Sequence, residues 1–174
     1  MISPAWCRLM AAYNSEMNRR LYAAAAEIPD AARKRDAGAF FGSLHATLNH
    51  LVWADRMWMS RFADGWERPA AGIPGSTTLY DEFDALRAAR VETDARIETW
   101  AATLTEPALA GDLTWYSGAT KRERTEKRWI LYVHFFNHQT HHRGQAHCLI
   151  TQDGVKPADT DLPFILDLKA LDLA

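Results

Sequence analysis

The chain has 174 residues, with Lys+Arg 20 against Asp+Glu 22, a formal net charge of -2 with neutral histidines. That size gives one domain over residues 1–174, and 48% hydrophobic with 11% aromatic content gives it a core rather than disorder. The near-neutral balance excludes a dedicated nucleic-acid binder, which needs a basic stripe to displace counterions, and no apolar run approaches the roughly 18 to 20 residues of a membrane span.

From Pro4 to Pro29 apolar residues recur every three or four positions, including Trp6, Leu9, Tyr13, Met17, Leu21 and Ile28. The spacing predicts a first helix, stopped at Pro29-Asp30 because proline cannot continue the hydrogen-bond ladder. Cys7, on that helix, and the distant Cys148 have no Cys-x-x-Cys spacing and read as small buried hydrophobes. After a short loop through Gly38, a second helix is predicted over 39–63; it is apolar on more than one side and so expected to be buried against several neighbours. Gly65, Pro69, Gly72, Pro74 and Gly75 make 64–78 a long surface loop. A third helix is expected from Leu79 to Leu104, with Thr78 as its N-cap. Leu113-Thr114-Trp115-Tyr116 reads as a short strand entering a turn, with room for a small hairpin. A fourth helix is expected from Arg124 or Thr125 to about Gln152, ended by Gly154 and Pro157. The basic run Lys121, Arg122, Arg124, Lys127 and Arg128 around its start, broken by Glu123 and Glu126, reads as a solvated helix face. The expected fold is all-α: a four-helix bundle with a long crossover connection between helices 3 and 4. The first ten residues lack the basic-then-apolar pattern of a secretory signal, so the expected location is cytoplasmic.

Five of the seven histidines, His134, His138, His141, His142 and His147, fall within one helix. A separation of four advances the direction by only about 40° beyond a full turn, so His134, His138 and His142 form one winding stripe. Imidazoles four apart on a helix put two nitrogen donors where one ion can meet both, and they suit zinc, nickel, iron or copper. The third ligand must come from His45 or His50 on the second helix. His50 shares a stripe with Ala46, Thr47, Trp53, Ala54 and Met57, which aims it into the bundle, whereas His45 lies about 140° away around the helix. His45 and His147 read as core or exposed side chains, His141 lies outside the stripe, and His134 stays open. No His-Glu-x-x-His, Glu-x-x-His, Gly-x-Ser-x-Gly or phosphate-binding glycine loop occurs.

The run Asn137-His138-Gln139-Thr140-His141-His142-Arg143-Gly144-Gln145 resembles the DinB family of the DinB/YfiT-like metalloenzymes. Ser43 through His50, Asp55-Arg56-Met57-Trp58, the Leu113–Tyr116 segment and Asp161-Leu162 support the resemblance, which covers nearly the whole chain. It implies a four-helix bundle, commonly dimeric, holding one divalent metal with three histidines, which fall here on His50, His138 and His142. It further implies thiol-dependent transfer or isomerisation with a low-molecular-weight thiol cosubstrate for some members.

Three neutral imidazoles leave a coordination position open, as catalytic sites do. The residues therefore point to a mononuclear metal-dependent transferase or hydrolase acting on a small molecule, working as a homodimer. The competing reading is a non-catalytic, metal-stabilised dimeric interaction or stress-response module. Asn49, Asn137, Gln139, Asp55, Arg143 and Gln145 are candidates to support the ligands, with Asp55 expected to pair with Arg56 or Arg143. Trp53, Met57 and Trp115 are candidates for the pocket mouth. No general acid or base is assignable, and no motif reads a substrate.

Overall fold

The computed structural model describes residues 2–172 and is mostly helical. The elements are α1 (Pro4–Ala26), α2 (Asp30–Lys34), α3 (Leu44–Phe62), α4 (Phe83–Thr103), α5 (Glu106–Leu109), β1 (Asp112–Ser117), β2 (Arg122–Lys127), α6 (Arg128–Gln152) and α7 (Leu162–Ile165), with one 3-10 turn at Ile73–Gly75. No helix among the described residues is long and apolar enough to cross a membrane.

Local chemistry sets the helix starts. Ser3 and Ser43 each accept a hydrogen bond from the backbone N–H three residues on, Trp6 and Ala46, both at 3.1 Å, which satisfies an orphan donor of the first turn. The Ser43 cap shifts the start of α3 five residues beyond the expected Ala39, because Gly38 and Gly42 take positive φ (68° and 78°) in a tight turn that a helix cannot include. Thr78 is not a cap. The Leu79–Glu82 stretch stays outside the helix because the Asn49 side chain grips the Tyr80 backbone at both N–H (2.8 Å) and C=O (3.1 Å), so α4 starts at Phe83. The basic run is likewise not a helix face. Residues 122–127 pair antiparallel with 112–117, a period-2 pattern that includes the cross-strand threonine pair Thr114–Thr125 at 2.8 Å, and α6 begins only at Arg128. Cys7 is fully buried as expected, whereas Cys148 is exposed on the outer face of α6.

The four long helices pack in a ring: α1 on α4, α4 on α3, α3 on α6, and α6 on α1. Two apolar clusters give their directions. One contains Leu21 and Ala25 of α1, Leu44 and Leu48 of α3, Phe83 and Leu86 of α4, and Leu149 and Ile150 of α6. The other contains Cys7 and Ala11, Met59 and Phe62, Ile97 and Trp100, and Leu131 and Phe135 of the same helices in the same order. Thus α1 and α6 run one way and α3 and α4 the other. The α4–α6 connection, which carries α5 and the hairpin, returns at the end it left, since Leu104, Leu109 and Leu131 share one cluster. The connection that must travel the length of the ring is the one from α3 to α4, residues 63–82, because those neighbours are parallel; this corrects the expected crossover between the third and fourth helices.

Between the two apolar clusters lies a buried polar layer drawn from all four helices. Arg90 donates to Asp55 (2.6 Å) and meets Asp94 (2.7 Å). Asn14 and Asn18 donate to Asp94 at 3.1 and 3.0 Å. Gln139 donates to Asp55 at 3.0 Å, and Arg143 donates to Asn14. Asp55 therefore pairs with Arg90, not Arg56 or Arg143; Arg56 instead donates to the Tyr80 hydroxyl and Thr93. Two arginines and two aspartates balance in charge inside the core, which is the condition under which buried ions are tolerated.

Candidate metal centre

His50 projects from the middle of α3, and His138 and His142 lie one turn apart on α6, the helix packed against it. His138 Nε2 stands 3.1 Å from His142 Nε2 and 3.5 Å from His50 Nε2. The three donor atoms all lie within 4.8 Å of one another. His45 turns away and meets the Tyr80 carbonyl at 2.8 Å through Nε2, the core role expected of it. His141 is exposed on α6, and His147 is half-buried beyond it. His134 continues the stripe, with its ring centroid 5.7 Å from that of His138, but stands outside the cluster of three.

The outer ring nitrogens fix the inner ones. His142 Nδ1 donates to Gln145 Oε1 at 2.7 Å, which leaves Nε2 with a free lone pair. His50 Nδ1 lies 2.9 Å from the hydroxyl of Ser76, a fully buried side chain placed by the 3-10 turn just before it. The Phe41 ring stacks on His50 at 4.1 Å and restricts its rotation. Of the residues expected to support the ligands, Gln145 does so directly. Gln139 and Arg143 face inward to the polar layer, Asn49 holds the α3–α4 connection, and Asn137 is exposed. Ser76 was not visible in the sequence as a partner: it sits 26 residues from His50, in a segment that reads only as loop.

With His142 Nε2 left as a lone pair, His138 Nε2 at 3.1 Å either donates to it as N–H or shares a cation with it, and three ring nitrogens converging from two helices are the donor pattern of a metal site. A tetrahedral zinc ion with bonds of about 2.0 to 2.1 Å sets its donors about 3.3 Å apart, between the 3.1 and 3.5 Å that separate His138 Nε2 from its two neighbours. The donor set thus fits a divalent transition metal in size and in chemistry, and the described residues offer no carboxylate or thiolate to this cluster. Burial, followed by the neighbouring His142, pushes the His50 pKa down to about 4. Burial and then the surrounding histidines take His138 to about 3, and burial also lowers His142 and His134. At neutral pH the cluster is unprotonated, as ligation requires.

The same shifts set an acid limit for the metal-free protein. A histidine whose folded pKa lies below its unfolded value of about 6.5 favours the fold above that pH and loses its contribution as pH falls towards the folded value. Urea denaturation of metal-free protein between pH 7.5 and 4 should show stability falling from about pH 6.5 downward, with a flatter profile in His138→Gln. Equal slopes in the two proteins would contradict the assignment.

Beside the cluster opens a cavity of ≈ 370 Å³ to which His50, His138 and His134 contribute one wall. Trp53, Met57 and Trp58 of α3 form another, Arg68, Gly72 and Ile73 of the α3–α4 connection a third, and Trp115 with the hairpin turn closes the mouth. All three candidates for the pocket mouth line the cavity, but Trp53 and Met57 are buried wall residues and only Trp115 stands with the hairpin turn. The chain matches the DinB family over residues 1–172. It belongs to that family. No curated protein and no solved structure matches it.

Proposed function

We propose that the protein is a mononuclear metal-dependent enzyme in which His50, His138 and His142 hold one divalent ion, zinc, nickel or iron, and that it carries out thiol-dependent transfer or hydrolysis on a small molecule. The observation that carries this reading is the convergence of three Nε2 atoms, two pairs of them 3.1 and 3.5 Å apart, at the side of a cavity. Membership of the DinB family supports it. In this reading the ring of four helices is a four-helix bundle forming one domain, cytoplasmic and homodimeric, and the cosubstrate is a low-molecular-weight thiol.

A bound ion with only three protein ligands supplies Lewis acidity at its open position, to a water or to a thiol. The chain's own groups do the rest. Gln145 holds the His142 ring with Nε2 inward, and Ser76 does the same for His50 by accepting from Nδ1–H. Phe41, Trp53 and Trp58 exclude bulk water from the histidine wall, which strengthens any electrostatic interaction made there. A non-catalytic metal site is the competing reading. A structural zinc site is closed by a fourth protein ligand, whereas here the cavity reaches two of the three histidines, and this favours the enzyme.

The test is elemental analysis of tag-free protein, followed by assays of the metal-loaded form with small thiols and electrophilic acceptors and with hydrolysable esters and amides. About one metal per chain and turnover dependent on it is the expected result. No metal bound after incubation with zinc, nickel and iron would overturn the proposal.

A further inference from the structure

The cavity beside the histidines is cationic without a counter-charge. Arg61, near the end of α3, lays its guanidinium 4.5 Å from the centre of the Trp58 ring and 5.9 Å from that of Trp115, and Arg68 reaches the same cavity from the α3–α4 connection. No carboxylate lines it. Among the described residues neither arginine forms an ion pair.

An arginine held half-buried on an indole face, facing a second arginine across a cavity, has given up hydration without receiving a partner. Burial, and then Arg68, pull its pKa down to about 10. A planar guanidinium offers a fork of N–H donors suited to the two oxygens of a carboxylate. The remaining walls, Trp53, Ala54, Met57, Trp58, Ile73 and Trp115, offer indole faces and aliphatic carbon but few hydrogen-bonding groups.

We infer that the cavity takes an organic acid with a flat apolar body, whose carboxylate is anchored by Arg61 with help from Arg68 while its body lies among Trp53, Trp58 and Trp115 and its far end reaches the histidine wall. The inference rests on the proposed function only in naming that wall as the reacting end; the anchor is a property of Arg61 and the indoles alone. It makes the substrate of the site an anion and neutral analogues poor ligands.

Isothermal titration of the full chain with 1-naphthaleneacetate and with its neutral counterpart 1-naphthaleneacetamide tests it, in both EDTA-treated and zinc-loaded protein. The acid should bind at least about tenfold more tightly than the amide in both forms, the worth of a charge-assisted hydrogen bond. Arg61→Gln should cost the acid about tenfold and leave the amide unchanged, which also reports that the cavity is intact. Arg68→Gln should cost less, because that side chain is exposed. Equal binding of acid and amide, or no saturable binding of either, would overturn the anchor. So would binding of the acid that needs zinc and is the same in Arg61→Gln, since the carboxylate would then sit on the metal. Failure to take up zinc would count against the metal reading alone, because the EDTA-treated protein still tests the anchor in full.

Discussion

Replacing Arg90 by leucine is expected to destabilise the fold by about 3–5 kcal/mol, the cost of leaving buried charges without their partner. Arg90 is 2% exposed and meets both Asp55 and Asp94, themselves at 1% and 5%. Its removal strands two carboxylates in a layer bounded on both sides by hydrocarbon. The remaining direct donors, Gln139 to Asp55 and the two asparagines to Asp94, are neutral, and the one cation left in the layer, Arg143, donates to Asn14 and to neither carboxylate. For a chain of this size the loss corresponds to a fall in Tm of roughly 6–20 °C. Chemical denaturation of the metal-free variant measures it directly. Replacing Arg90 and Asp94 together by apolar residues should recover part of the loss, because it removes one of the two stranded carboxylates and leaves Asp55 to balance Arg143 in charge. A single variant within 1 kcal/mol of the parent would mean that water reaches the layer.

The second large effect is on metal affinity. His138 Nε2 meets the Nε2 atoms of both other histidines, at 3.1 and 3.5 Å, so His138→Ala should lower affinity for zinc by at least about a thousandfold while the far-UV circular dichroism spectrum stays that of the parent. Gln145→Ala and Ser76→Ala should lower it by about 10- to 100-fold each, because they free a ring to rotate or to change tautomer without deleting a donor. Competition titration against a chromogenic zinc chelator gives all three values. An ordering in which Gln145→Ala costs as much as His138→Ala would mean that Gln145 does more than orient its ring. Unchanged affinity in His138→Ala would remove the three-histidine centre altogether.

Much of this arrangement is legible in the sequence, and the parts that are not share a cause. Periodicity marks the four long helices because each buries a wide apolar face, and the spacing of His138 and His142 follows from helical geometry alone. The start of α4 is not legible. Leu79 and Tyr80 fit the helical pattern, and the competing grip of Asn49 on the Tyr80 backbone comes from 31 residues away. The small hairpin ahead of α6 is anticipated, but its second strand is misplaced for a similar reason: Arg122 to Lys127 is polar throughout, so its pairing with Asp112 to Ser117 leaves no apolar alternation to read. The polar layer hides in plain view. Asn14, Asn18, Arg90 and Asp94 look like solvent-facing positions singly, Asp55, Gln139 and Arg143 look like supports of the histidines, and only their common level in the ring shows that they satisfy one another. Arg143 and Gln145, two residues apart, divide between that layer and the histidines, a division no spacing rule assigns.

The parallel course of α3 and α4 has one further consequence. Because the chain must climb the whole ring between them, residues 63–82 pass over the mouth of the cavity and bring Ser76, Arg68 and Ile73 with them, and the turn of the hairpin meets them from the other side. The helices own the donors, while surface segments own most of the rim. Changing the hairpin turn, or Arg68 and Ile73, while keeping Ser76 on His50 and Tyr80 in the grip of Asn49 would reshape what enters without moving His50, His138 and His142, so a library confined to those rim positions is the natural way to redirect this scaffold towards new molecules.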